Sequence, residues 1–105
     1  MKAIERMIES GQKVIVRTEA AGVFYGVITE YDNTTSTAEV TGCRRIWYWS
    51  GAASLSEMAL SGVKRPADCK FSVTVSSIVV MGVKEILPCS EDAVKSIESV
   101  PVWKA

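Results

Sequence analysis

The chain has 105 residues, enough for one domain with a small core. Hydrophobic content of 48% with 23% charged residues excludes a disordered chain. A formal net charge of zero argues against a general binder of long DNA or RNA, and no apolar run approaches membrane-spanning length.

Residues 2 to 10 are predicted to form a short helix, with Ile4, Met7 and Ile8 on one face and Gly11 as its C-terminal cap. Five strands follow. The first, Gln12 to Thr18, sets Val14 and Val16 against Lys13 and Arg17. The second, Gly22 to Tyr31, is long and carries Gly22 and Gly26 as bends or points of close backbone approach. A polar turn at Asp32 to Thr35 leads into the third strand, Thr37 to Trp49. The fourth spans Phe71 to Met81, where Ser76-Ser77 interrupts the alternation and predicts a bulge. Gly82 turns the chain into the fifth strand, Val83 to Leu87. Ser90 has the chemistry of an N-cap, Glu91 and Asp92 suit a first helical turn, and Ala93, Val94 and Ile97 form the apolar stripe of a final helix that Pro101 ends. Trp103 on the short tail is expected to pack back on the body.

Between the third and fourth strands lies an insertion. Ser54-Leu55-Ser56-Glu57 has the form of a capping box, and Leu55, Met58 and Ala59 give a short amphipathic helix closed by Gly62. The expected fold is mainly β (α+β): a small five-stranded barrel of SH3-like or Sm-like type, with an N-terminal helix, the short helical insertion and a C-terminal helix. Such barrels leave an edge that recruits a neighbour, so a homo-oligomer is expected.

Catalytic and metal chemistry have little to draw on. There is no histidine, no phosphate-cradling glycine loop and no recognisable carboxylate pair. Cys43, Cys69 and Cys89 have no C-x-x-C spacing and read as small buried apolar groups. No metal, cofactor or enzymatic activity is expected. The odd cysteine count and the lack of a signal-peptide pattern point to a reducing cytosol.

The most unusual stretch is Cys43-Arg44-Arg45-Ile46-Trp47-Tyr48-Trp49. Guanidinium groups fit phosphates and carboxylates, and aromatic rings stack on bases. From Arg44 to Lys70 there are five basic residues and two acidic ones, a local excess of +3. Strand alternation places Arg45, Trp47 and Trp49 on one face, outward, and Arg44, Ile46 and Tyr48 on the other, with Ile46 and Tyr48 inward and Arg44 reaching out at the strand's edge. The candidate ligand residues are therefore Arg44, Arg45, Trp47, Tyr48, Trp49, Ser50, Ser54, Lys64 and Arg65. Trp47 and Trp49 would stack on a base, the cations would hold phosphates, and the small residues from Ser50 to Ser54 would donate hydrogen bonds. The competing use of the same residues is to fill a core or to build a subunit interface.

The run Arg44-Arg45-Ile46-Trp47-Tyr48-Trp49, followed by Gly51-Ala52-Ala53-Ser54-Leu55-Ser56, resembles a family of small phage and prophage proteins known mainly as a domain of unknown function. The resemblance extends through Gly62-Val63-Lys64, Cys69-Lys70-Phe71-Ser72-Val73 and Pro88-Cys89 to Val102-Trp103. It implies phage origin and action in a bacterial cytoplasm, and no established activity. Several unrelated families of small phage oligomers are sponges for host immune signals, which agrees with a non-enzymatic binder of a small anionic nucleotide, such as a cyclic oligonucleotide or a cyclic ADP-ribose-like molecule. Two other expectations stand beside it: a protein-interaction module acting on a host or phage complex through its aromatic patch, and a small barrel that binds single-stranded nucleic acid.

Overall fold

In a computed structural model that describes residues 8–104, Val14, Ile15 and Val16 are all fully buried side by side on one strand. Successive side chains of a strand point to opposite faces, so this sheet is covered on both. The elements in chain order are β1 (Gln12–Thr18), β2 (Val23–Asp32), β3 (Thr37–Tyr48), α1 (Leu55–Ser61), a 3-10 turn at Pro66–Asp68, β4 (Lys70–Phe71), β5 (Val75–Met81), β6 (Val83–Pro88) and α2 (Glu91–Glu98). The N-terminal helix expected over residues 2 to 10 lies mostly outside the described residues, and Ile8 to Ser10 form a bend and turn.

The strands make one antiparallel six-stranded sheet in the order β4-β3-β2-β1-β6, with β5 also pairing with β3. β3 is long enough to serve two neighbours on one side. Thr37 to Cys43 faces β5, and Ile46 to Tyr48 faces β4. The expected count of five strands is corrected to six because the predicted fourth strand divides. The division falls at Ser72 to Thr74, not at Ser76-Ser77. The Ser72 hydroxyl accepts from the Arg45 N–H at 2.7 Å and donates to the Val73 carbonyl at 2.8 Å, turning the chain away from the ladder. β5 then runs through Ser76-Ser77 without a register shift.

β5 and β6 sit at opposite ends of the sheet, yet only Gly82 separates them, at φ +73°. The sheet therefore curls until its two ends are one residue apart. Among the described residues no ladder joins β5 to β6, so the curl is not a hydrogen-bonded closed barrel.

Two cores result. Inside the curl lie Val14, Val16, Phe24, Ile28, Val40 and Val80. Against the other face, Ile15, Tyr25, Ile46 and Phe71 pack on Met58 and Ala59 of α1 and on Ala93 and Ile97 of α2. Each fully buried Ile or Phe side chain contributes about 1.5–3 kcal/mol. Both helices start as the sequence predicts. Ser54 Oγ accepts from the Glu57 N–H at 3.2 Å, and Ser90 Oγ from the Ala93 N–H at 3.0 Å. The Glu57 carboxylate returns to the Ala53 N–H, one residue before the cap. Ser96 of α2 fastens the end of α1: its hydroxyl accepts from the Val63 N–H and donates to the Val63 carbonyl.

Lys13 of β1 and Tyr25 of β2 both donate to one Glu98 oxygen of α2, each at 2.8 Å. The Lys13 hydrogen bond, joined by that from Tyr25, holds the Glu98 carboxyl below its usual pKa against a smaller opposing effect of burial. Burial, and then the Glu98 carboxylate, push the Tyr25 phenol well above its own. A carboxyl depressed in the folded state stabilises the fold above its unfolded pKa, and that stability is lost as pH falls through the folded value. Thermal melts followed by circular dichroism from about pH 5 to about pH 3 are therefore expected to show a steeper fall in Tm for the wild type than for Glu98→Gln.

Candidate functional site

The far end of β3 carries the arginine–aromatic run, and each side chain there has a distinct fate. Arg44 is 6% exposed. Its Nε donates to the Ser72 carbonyl at 2.9 Å and its Nη1 to the Val100 carbonyl at 2.9 Å, with longer bonds to the Ile97 and Pro101 carbonyls. Its guanidinium lies 5.2 Å from the centre of the Phe71 ring. Burial lowers its pKa, and nearby Tyr25 partly offsets that. The carbonyls it meets include those at the C-terminal end of α2, where the helix dipole favours a cation. The expectation that Arg44 reaches out to a ligand is corrected: it is a structural tie inside one chain.

Arg45 takes the opposite face. Its guanidinium stacks 4.6 Å from the centre of the Phe24 ring, and Nη1 donates to the Ala21 carbonyl at 2.9 Å. It borders the outer surface while covering one end of the inner core.

Next, the ladder between β3 and β4 slips. Ile46 pairs with Phe71 but Tyr48 pairs with Lys70, so two steps on β3 face one on β4. This bulge breaks the alternation. Trp47 is 53% and Tyr48 52% exposed, both outward. Trp49, the next residue, turns inward against the helix-side core and donates from Nε1 to the Ala52 carbonyl at 3.2 Å. The predicted phase therefore holds through Trp47 and inverts after it. Trp49 leaves the candidate surface, and Tyr48 joins it.

The C-terminal tail completes the surface. Val102 bridges Phe71 in parallel, and the Trp103 N–H donates to the Phe71 carbonyl at 2.9 Å. This carries the Trp103 ring to Trp47, edge to face at 5.5 Å between centroids. Lys70, opposite Tyr48, places its ammonium 5.1 Å from the centre of the Trp103 ring. Trp103 packs back as expected, but it does so on the outer face and remains 41% exposed. Its place in this surface was not legible beforehand. Pro101 marks where the helix ends, and nothing marks which strand the tail then follows.

The remaining predicted residues divide. Ser50 Oγ accepts from Arg65 Nε at 2.8 Å, so these two lie together just beyond Trp49. Gly51, at φ +93°, brings its backbone against that of Lys64: an added Cβ would sit 2.5 Å from the Lys64 nitrogen. The Lys64 N–H donates to the Gly51 carbonyl at 3.2 Å, holding Lys64 and Arg65 against the loop. Ser54 caps α1. No ion pair engages Lys64, Arg65 or Lys70 among the described residues.

Neither of two clefts elsewhere includes a predicted ligand residue. One of about 750 Å³ lies by the β2–β3 hairpin and is lined by Glu30, Asp32 and Glu39, the wrong charge for an anion. One of about 630 Å³ lies between α1 and β6 and is lined by Leu60, Ile86 and Pro88. Cys43 and Cys69 are buried and Cys89 is partly so. Burial pushes the thiols of Cys43 and Cys89 up to about 11, and Cys69 is 4% exposed.

This division of one motif can be measured. Arg44→Met, which strands the carbonyls it serves, is expected to lower unfolding free energy by about 3 kcal/mol. Tyr48→Ala and Trp47→Ala are expected to change it by less than about 1 kcal/mol. Urea denaturation of the three variants checks the contrast.

No curated protein and no solved structure matches the chain. Residues 11–97 match the model of a domain of unknown function, DUF6948. That stretch runs from the residue before β1 through Ile97 of α2 and holds nearly the whole sheet and both helices, so the chain belongs to the DUF6948 family.

Proposed function

We propose that the protein is a non-enzymatic interaction module that docks a partner protein on the surface formed by Trp47, Tyr48, Trp103 and Lys70. The observation that carries this is the half-exposed, edge-to-face pair of Trp47 and Trp103 at the far end of β3. Tryptophan and tyrosine dominate the energetics of protein interfaces, where a few such residues carry most of the affinity. Neither of the two clefts includes these residues, and an exposed aromatic patch suits a protein partner better than an enclosed small molecule. Its cations, Lys70 and Arg65, favour an acidic partner face. The resemblance to phage and prophage proteins makes a component of the bacterial host, or of the phage itself, the natural partner class.

A second reading is supported by the placement of Lys70 on the Trp103 ring and of Arg65 on Ser50. A base stacked on Trp47 would gain about 1–3 kcal/mol, with these cations available to phosphates. In that form the protein sequesters a nucleotide-type signal of host defence, with the ligand enclosed between subunits.

The two readings separate experimentally. Tagged protein is expected to retain one stoichiometric protein from infected-cell lysate. Trp47→Ala and Lys70→Glu should each reduce that retention at least about tenfold, with the fold intact. Calorimetry against cyclic di- and trinucleotides and cyclic ADP-ribose isomers is expected to be silent; saturable heat that Trp47→Ala removes would transfer the conclusion to the nucleotide reading. Loss of neither binding activity in Trp47→Ala would remove both.

A further inference from the structure

We propose that β5 is a homodimer interface, in which β5 of one protomer pairs antiparallel with β5 of its partner about a twofold axis through Ile78. This is independent of the aromatic surface at the other end of β3.

The sheet has three outer boundaries, and they differ. Beyond β4 the C-terminal tail runs alongside, bridged at Phe71 to Val102. β6 carries the devices by which proteins blunt an edge: the charges of Lys84 and Glu85, a register shift against β1 at Arg17/Thr18, and Pro88, which has no N–H. Its charges are also engaged within the chain, Arg17 with Glu85 and Lys84 with Glu19. β5 has none of these. Val-Ser-Ser-Ile-Val-Val-Met contains no charge, no proline and no glycine, and its ladder with β3 has no register shift. Among the described residues no strand pairs with its other side. An unprotected regular edge about 24 Å long is a template for another strand.

Side chains point the same way. Val80 is buried and Ile78 partly so, both turned to the inner core, while Val79 is 56% and Met81 69% exposed. Val73 and Val75 are exposed as well, so four of the nine exposed large hydrophobic side chains among the described residues lie on β5 or just before it. A partner bearing charge would set it against this apolar stripe. A second copy brings the same neutral strand. Pairing about Ile78 keeps inward residues opposite inward ones. It places Val75 opposite Met81 of the partner subunit, and Ser77 opposite Val79 of the partner subunit, in one continuous outer stripe. The contact is self-complementary and closes on itself, so it yields a dimer and not a filament. β5 against β6 of another copy would instead set the neutral edge on the charged, proline-bearing one.

Sedimentation velocity across about 1 to 100 μM is expected to show the wild type as a dimer. Val79→Lys places a cation beside Glu39, its neighbour on β3, which is compatible with the fold, but it sets two ammonium groups diagonally across the axis. It is expected to raise the dimer dissociation constant at least about tenfold, with an unchanged circular dichroism spectrum. Ser77→Glu added to Val79→Lys puts a carboxylate opposite each ammonium of the other copy and is expected to restore most of the affinity. Should Val79→Lys fail to fold, Met81→Lys with Val75→Glu as its rescue makes the same test. A monomeric wild type at the highest concentration overturns the proposal. So does a dimer indifferent to the lysine, or a loss that the compensating carboxylate does not repair.

Discussion

Arg44 is the constraint around which this molecule is arranged. A single guanidinium joins the middle of β3 to the carbonyl at the β4–β5 break, to the last turn of α2 and to the start of the tail. The carbonyls of Ser72, Val100 and Pro101 lie outside the strand and helix ladders, and each would be costly to bury unpaired, while the Ile97 carbonyl also accepts from the Val100 N–H. Arginine can satisfy them together because it projects five donors in a fixed plane. No carboxylate neutralises it among the described residues, so oriented carbonyl dipoles and the face of Phe71 do that work. The divided strand, the docked C-terminal helix and the tail that carries Trp103 follow from one buried cation.

The aromatic surface depends on a second, smaller event. One extra residue on β3 against β4 turns Trp47 and Tyr48 to the same side and sends Trp49 into the core. An unbroken strand would have exposed Trp47 and Trp49 and buried Tyr48. The bulge thereby sets two aromatic rings next to Lys70 and in reach of Trp103, and it gives the core the second of the two tryptophans. Exposed surface and core are divided within three consecutive residues, and the division is made by hydrogen-bond register rather than by residue type.

That explains what could be read from the chain beforehand. Helix starts at Ser54 and Ser90 were legible because a capping hydroxyl acts on residues two or three away. β1, β2 and β3 were legible in extent. The double coverage of the sheet was not, because Val14-Ile15-Val16 was read as a half-buried alternation when its middle residue belongs to a different core from its neighbours. A bulge or register shift was expected at Ser76-Ser77, where the ladder is regular, and the division of the fourth strand was not foreseen. It occurs at Ser72, whose partners are Arg44 and Arg45, 28 and 27 residues away. In the candidate site, Trp47 is exposed as its place in the alternation predicts, whereas Tyr48, expected inward, is exposed as well. Arg44 and Trp49 were not separable from them, since a donor-rich or aromatic side chain looks the same in sequence whether it meets a ligand or its own backbone.

The corner at Gly82 has a consequence for how the protein comes into being. β1 finds its second neighbour only in β6, where Val14 meets Pro88, so a strand near the start of the chain waits for one near its end. The three-stranded meander of β1, β2 and β3 can form from local contacts, but the outer edge of β1 and the β3 edge from Thr37 to Cys43 stay unpaired until β6 and β5 arrive, joined by that one glycine. Such non-local closure makes folding slow relative to a helical protein of this size. During synthesis those two edges therefore stay unpaired until almost the whole chain has left the ribosome.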